Sequence, residues 1–530
     1  MPKIIIRQIA LPPDADRGHA VERAAAIARK NGINTVKGCI TRFSVDSRKK
    51  NDIKFVYSVM LECDGAVPEK KLKAAGAELY REPVLDITYG SKERRGKIAV
   101  IGFGPAGMFA SLTLAENGYI PVVFERGRPV DERSADVERF LETRTLDTES
   151  NIQFGAGGAG TFSDGKLITR INDPACSVVL ERLVSFGAPE DILTNARPHI
   201  GTDVLKTVIR NVTDRLRDLS ADIRFGCKVT SVRRYGDGLT VDCAGSSEYY
   251  DAAILCTGHS ARDTYKMLYD GGVSLEKKPF SVGCRVEHLR EDIDRAMYGE
   301  GFDKYKEFLP HAEYNLSTKL GGRGVYSFCM CPGGKVICAS TEEDGVVTNG
   351  MSYHKRDGLN SNSAVAVSVY PEDLSENVLS GIDFQRAIER AAFIAAGGGF
   401  SAPCQTLGSF LRGKSNEISN VVPSYEPSVS MCDTGAIFPS FITENLRTAF
   451  FDFDRRIRGF ASDSAVITSP ETRTSAPVRI LRNALRMSPD INALYPCGEG
   501  AGYAGGITSA AADGINTAVE IMKKYKPDKT

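Results

Sequence analysis

The chain has 530 residues, room for roughly two to four domains with a sizeable core. Its 67 basic and 67 acidic residues balance, which argues against bulk attraction to nucleic acid or to an anionic membrane surface. No apolar run approaches a membrane span, and Ile4 to Ile6 is too short for a signal peptide, so a cytoplasmic protein is expected.

Residues 1–90 read as a small separate domain. Ile4 to Ile9 is a strand, and Gly18 to Lys30 an alanine-rich helix stopped by Asn31-Gly32. Strands follow near Val36–Val45 and Ile53–Cys63, then a short Lys-rich helix and a last strand near Glu78–Leu85. This β-α-β-β-α-β order predicts a ferredoxin-like α+β module. Phe43, Phe55 and Tyr57 on its strands are either core or a surface on which bases stack.

After the polar connector Tyr89–Gly96 comes Lys97-Ile-Ala-Val-Ile-Gly102-Phe-Gly104-Pro-Ala-Gly107, then a helix length, then Val122-Val-Phe-Glu125. A buried strand, a glycine turn, a helix and a second strand ending in an acid outline a dinucleotide site. Gly102 permits the turn, Gly104 admits the pyrophosphate to bare backbone, and Gly107 lets helix and strand pack closely. The helix N-terminus offers free N–H groups, and Glu125 an acceptor for a ribose diol.

A long polar excursion follows, then Thr202–Leu219, whose apolar spacing predicts a one-faced helix. Asp222–Phe225, three short strands through Tyr250 and the buried run Ala252–Gly258 come next. A comparable strand returns only at Ala493-Leu-Tyr-Pro, before Gly498-Glu499 and a helix over Ile507–Lys524. The expected fold is α/β: a Rossmann-type dinucleotide-binding domain from residues 97–260 and 489–530, interrupted by a mixed α+β substrate or cap domain over 261–488.

Three segments satisfy G-x-G-x-x-G. Gly155-Ala-Gly157-Gly-Ala-Gly160 continues into a turn-like stretch, not a helix. Gly500-Ala-Gly502-Tyr-Ala-Gly505 leaves no room for a following strand and acid. Only the first completes a βαβ unit. The other two either pack tightly or bring bare backbone against a long cofactor at several points. FAD, buried along its length, fits that second reading better than NAD.

The thirteen cysteines show no repeating spacing and are expected to be free thiols in a reducing compartment. Cys329-Met-Cys331 is a close pair but lacks the C-x-x-C spacing of metal knuckles and redox motifs. The six histidines form no metal-ligand cluster, and no metal is expected.

At these residues the chain resembles the bacterial uncharacterised FAD-dependent dehydrogenases, flavoproteins with a glutathione-reductase-type FAD fold. The segments that carry the resemblance are Gln153–Leu167, Thr348–Ser352 and Gly498–Gly514. It implies that Gly102, Gly104, Pro105, Ala106 and Gly107 hold the pyrophosphate, with Glu125 on the adenosine ribose and Arg126 beside it. Val229 would meet adenine through its backbone, and Thr257-Gly258 would mark a strand end at the cofactor. Gly498-Glu499 would take the place of a Gly-Asp pair on the pyrophosphate and ribityl chain. Gly506-Ile507 would aim helix amides at the flavin, and Gly158, Ala159, Gly160 and Thr161 would lie against its ring.

FAD would carry hydride or electron transfer, leaving the protein to orient and polarise. No separate NAD(P) domain is evident, so electrons would come from a small or lipid-like substrate, from NADH or NADPH visiting transiently, or from a protein redox partner. Candidates on the substrate side are Lys166, His259, Arg285, Glu287, His288, Tyr326, Asn349, Tyr353 and Tyr503; Lys166 and Tyr503, inside glycine loops, are the favoured catalytic pair. Arg285 and Glu287 read equally as a same-face ion pair on a strand, and His288 as a surface histidine. The alternative to an oxidoreductase is an FAD-containing accessory or redox-sensing protein whose N-terminal module binds RNA or a protein; no nucleic-acid partner is expected from the neutral charge.

Overall fold

A computed structural model describes residues 1–413 and 419–528. The chain divides into two compact units, one of residues 1–85, 189–199 and 291–312, the other of the remainder.

In the smaller unit, strands Lys3–Leu11, Thr35–Asp46, Lys54–Cys63 and Ala77–Tyr80 form one antiparallel sheet. Spatial order places Lys54–Cys63 and Ala77–Tyr80 on either side of the first strand. Helix Gly18–Lys30 lays Ala20, Ala24 and Ala28 on the sheet, the four-residue spacing that buries one stripe. Phe55 and Tyr57 are buried in this core, and Phe43 packs edge-on to Phe55 under the Arg17 guanidinium. These aromatics are packed, not laid open for stacking bases. Segment 189–199 joins the unit at Phe43, whose N–H donates to the Thr194 carbonyl and whose carbonyl accepts from Ala196. Segment 291–312 joins at Lys50, where the Gly301 N–H donates to the Lys50 carbonyl.

The larger unit is built on a parallel sheet. Lys97–Ile101 lies beside Pro121–Phe124, which lies beside Asp222–Arg224; on its other flank runs Ser246–Leu255, then Leu494–Pro496. Ile98, Ala99 and Val100 are fully buried, as a strand covered on both faces requires. The last meander strand and the buried run before Gly258, read separately from sequence, are one strand. The first half of Ser246–Leu255 pairs antiparallel with Gly238–Cys243, and its second half is gripped by two parallel neighbours. Helix Pro105–Glu116 crosses from the first strand to the second. The final helix Ile507–Met522 lies against it so closely that a Cβ at Gly514 would fall 2.2 Å from the Ala106 carbonyl.

One cysteine expectation fails here. Cys227, ahead of meander strand Val229–Tyr235, and Cys243, ending Gly238–Cys243, have Cα atoms 6.0 Å apart and are joined by a disulfide. The antiparallel register that sets Val229 opposite Cys243 brings them within bridging range.

Residues 261–488 contribute a second sheet, with Phe280–Leu289 central between Asn360–Val369 and Val466–Glu471. No described helix is long and apolar enough to cross a membrane.

Candidate functional site

The parallel strands progress outward in one direction from Lys97–Ile101, and the chain then returns to add Ser246–Leu255 on the other side. That reversal opens a crevice at the carboxyl ends of the two adjacent strands, where α/β sheets bind ligands. A cavity of about 340 Å³ occupies this place, with Gly102 and Cys256 at the two strand ends on its wall. Its size falls within the ordinary range for small-molecule sites.

Two helices begin on this wall. Gly104 is the N-cap of Pro105–Glu116 and Gly506 that of Ile507–Met522, and neither N-terminus has a side-chain acceptor on its amides. Uncapped N–H groups at the positive end of a helix dipole suit an anion such as a pyrophosphate.

The glycines divide into two groups. Gly102 needs its positive φ of 100°, and a Cβ there would meet the Cys256 carbonyl at 2.7 Å. At Gly107 a Cβ would lie 1.9 Å from the Gly102 carbonyl, and at Gly500 1.8 Å from that of Thr257; these are packing glycines. Gly155 and Gly157 are likewise crowded, by Arg133 and by Ile209 and Thr161. Gly104, Gly258 and Gly505 differ. Each lines the cavity, none has a positive φ, and a Cβ would meet nothing closer than 3.7 Å. The chain itself does not require glycine at these three positions, so the open space beside them is what a flat ligand approaching bare backbone would use. The residues present therefore fit a dinucleotide cofactor.

Of the residues anticipated from sequence, the cavity brings together Gly102, Gly104, Pro105, Ala106, Glu125, Arg126, Gly158, Ala159, Gly160, Lys166, Val229, Thr257, Gly258, His259, Asn349, Glu499, Gly506 and Ile507. Gly107, Thr161 and Gly498 lie just behind this wall. The Thr161 hydroxyl accepts from Arg133, and the Gly498 N–H donates to Asp513 at 2.8 Å. Arg285, Glu287, His288, Tyr326, Tyr353 and Tyr503 do not line it. The Arg482 guanidinium stacks on the Tyr503 ring at 3.7 Å, and the Tyr503 hydroxyl accepts from the Arg482 N–H.

The expected Arg285–Glu287 pair is replaced by others. Arg285 makes a bidentate bond to Glu471 on the neighbouring strand, while Glu287 accepts from Ser424 and Asn360. Both side chains are buried, and the flanking strands supply each with a nearer partner, Glu471 for Arg285 and Asn360 for Glu287. His288 is also buried, bonded through Nε2 to the Phe460 carbonyl at 2.7 Å.

Glu125, on the cavity wall, accepts from the N–H groups of Phe103, Gly127 and Gly155 at 2.8–3.0 Å, which leaves one acceptor position of its carboxylate unused by these bonds. Arg126 forks onto Asp263 and stacks on Phe154 at 4.4 Å. Lys166 lies 2.5 Å from the buried Asp164, which Arg356 also holds. Burial opposes the Lys166 charge, but Asp164 and Glu313 overcome it and raise its pKa, so Lys166 is a cation and not a base. His259 is the reverse: burial, then Arg473 and Arg262, push it down to about 3, and it is neutral.

Several residues at the site were not among the site candidates read from sequence. Arg473, Glu471 and Cys329 line the cavity from two strands of the second sheet and their ends. Arg133, fully buried on helix Val130–Thr143, clamps the glycine loop by donating to the carbonyls of Asn151, Ile152, Ala156 and Gly158 and to the Thr161 hydroxyl. A lone arginine on a polar helix looks like a surface residue until its fold is known. Among the described residues no group of histidine, cysteine and carboxylate side chains could hold a metal ion.

Residues 279–474 match the family model described as FAD-dependent protein, C-terminal domain-like. An uncharacterised protein of Clostridium beijerinckii is 45% identical over 499 residues, 92% of each chain. Among solved structures, that of CtdE in complex with FAD is 14% identical, covers 81% of this chain and 83% of its own, and has a TM-score of 0.32. The tetracycline destructase Tet(51) is 13% identical over 81% of this chain and 86% of its own, also with a TM-score of 0.32. Likenesses as loose as these two carry no argument. The relative and the family model do: the chain belongs to an FAD-dependent protein family, and its cofactor is FAD.

Proposed function

We propose that this protein is an FAD-dependent oxidoreductase, a dehydrogenase or reductase of glutathione-reductase-type fold, acting on a small or lipid-like molecule. The observation that carries the proposal is the wall of unconstrained glycines and uncapped helix N-termini at the carboxyl ends of the parallel strands. In this reading the amides following Gly104 and Gly506 bind the pyrophosphate and the flavin edge, Glu125 and Arg126 take the adenosine end, and Val229 meets adenine. When bound, FAD supplies two-electron transfer at its own ring. The chain supplies binding, orientation and charge. Lys166 offers a fixed cation to an anionic part of the substrate, and Ile168 and Phe328, 50% and 40% exposed on the cavity wall, offer it an apolar rim.

Anaerobic titration of the purified protein with NADH and with NADPH tests this. Flavin absorbance is expected, bleaching with one of the two. A colourless protein that FAD does not reconstitute overturns the proposal, and a flavin reduced by dithionite but by neither nucleotide removes NAD(P)H as donor.

Glu499 gives the site a pH dependence. Burial in the cavity wall raises its carboxyl to about 7, with Lys278 partly offsetting the shift. The raised carboxyl keeps its proton below about 7, and a nearby pyrophosphate favours that neutral form. FAD affinity is therefore expected to be greatest below pH 7 and to fall above it, by at most about tenfold per pH unit, the limit for one linked proton. Glu499→Gln should flatten this profile in a fluorescence-quenching titration; an unchanged slope would place the titrating group elsewhere.

A further inference from the structure

Strand Arg323–Cys331 pairs with Asn360–Val369, and its register shifts near the end. Phe328 lies opposite Ala364 and Cys331 opposite Asn362, so Cys329 and Met330 together face Ser363. This is a β-bulge, a device that re-aims a side chain. Cys329 holds a φ of 45°, which a non-glycine residue in a strand rarely adopts, and such backbone is found where a site needs it.

The bulged Cys329 lines the cofactor cavity, and Cys331 is buried behind it. The Cys331 thiol donates to the Cys329 carbonyl at 3.2 Å. The Arg285 guanidinium donates to the same carbonyl at 2.8 Å. The neighbouring Cys331 thiol first, and then the charges of Arg285 and Lys166, hold the Cys329 thiol below the usual thiol range against burial and Asp164. Cys331 is pushed the other way. The cavity-facing thiol is thus the more easily ionised of the two, and its buried neighbour follows two residues along the same bulged strand.

We propose that Cys329 and Cys331 form a two-thiol site that reduces a small hydroperoxide entering the cofactor cavity. The Cys329 thiolate attacks the terminal oxygen of ROOH, the O–O bond breaks, and the departing alkoxide takes up the proton that Cys329 had released. Cys329 is now a sulfenic acid, oxidised by two electrons. The Cys331 sulfur then attacks the Cys329 sulfur; the S–S bond forms and hydroxide leaves with the Cys331 proton as water. Two thiols and ROOH become one disulfide, ROH and water. The Lys166 and Arg285 charges favour the departing anion. A hydroperoxide is chosen over a bulkier oxidant because Cys329 is reached from a cavity shared with the cofactor. The step draws no electron from FAD, so it stands or falls separately from the oxidoreductase reading.

The test uses the FAD-loaded full chain with the three more accessible free cysteines, Cys39, Cys176 and Cys432, changed to serine. One equivalent of hydrogen peroxide is added without oxygen, and the products are alkylated and mapped as peptides. Expected is a Cys329–Cys331 disulfide, with loss of alkylation at both positions. In Cys331→Ser a dimedone adduct should accumulate on Cys329, and in Cys329→Ser the Cys331 thiol should remain alkylatable, flavin absorbance being retained in each. Both thiols surviving in the parent protein, or a dimedone adduct missing from Cys331→Ser, overturns the proposal; the parent map decides even where a variant does not fold.

Discussion

Gly104→Asp is expected to leave the fold intact and abolish FAD binding. A Cβ at this position would meet only the Gly158 Cα, at 3.7 Å, and the backbone φ of −81° is open to any residue. The added carboxylate would, however, stand on the cavity wall at the helix N-terminus offered to the pyrophosphate. Two like charges about 4 Å apart at a protein surface repel by about 4 kcal/mol, close to a thousandfold in Kd. The neighbouring Gly107→Ala provides the contrast. Its methyl would lie 1.9 Å from the Gly102 carbonyl, so the helix must leave the strand and the apoprotein itself should lose stability. FAD titration with apoprotein unfolding curves separates the two. If Gly104→Asp bound FAD with unchanged affinity, the helix N-terminus would not be the phosphate site.

That contrast also explains what was legible. The βαβ unit could be read because its information is local: strand, turn, helix and acid are contiguous, and Gly102 and Gly107 are glycine for reasons internal to the turn. The first helix was legible for the same reason, its boundaries at Gly18 and Lys30 being set by neighbouring residues, whereas segments 189–199 and 291–312, which join the same compact unit, come from too far along the chain to be read locally. The last strand of that domain was read too long, since Ala77–Tyr80 ends where its partner strand ends at Lys3.

The walls contributed from a distance were not legible. Cys329 faces the cavity because a register shift bulges its strand, and nothing in the residues Phe-Cys-Met-Cys announces a bulge. Tyr503 sits in a glycine loop, which drew attention to it, but its ring is covered by Arg482 from a segment 21 residues earlier. Lys166 was singled out as catalytic for the same loop, and its chemistry is set by Asp164 two residues away and by Arg356 and Glu313 far along the chain. The glycine loops themselves proved to be of both kinds: Gly500 packs while Gly505 lies open.

The buried charge cluster behind the cavity should produce the largest stability effect. Glu389, 1% exposed, accepts from both Nη atoms of Arg262, from Nε and Nη2 of Arg473 and from the Thr472 hydroxyl. Three distant segments meet there, and Arg473 also lines the cavity. Burial alone would raise the Glu389 carboxyl, but Arg262 and Arg473 outweigh it and hold it at about 2. Arg473 is in turn held down by burial and by the Arg262 charge, while Arg262, which also pairs with Glu342, is raised. Glu389→Gln would leave two buried guanidinium groups facing each other without their shared anion. Breaking such a cluster from one side costs about 3–5 kcal/mol. The pH dependence has a definite sign. A carboxyl whose folded pKa lies below its ordinary 4.5 contributes stability above that value and loses it as pH falls through about 2. The contribution is about 3 kcal/mol at neutral pH. Denaturant unfolding at pH 7 should therefore show Glu389→Gln strongly destabilised, and the gap to the parent protein should narrow as pH falls from 4.5 towards 2. A gap that stays constant across that range would mean that the loss comes from packing and not from the ionised carboxylate.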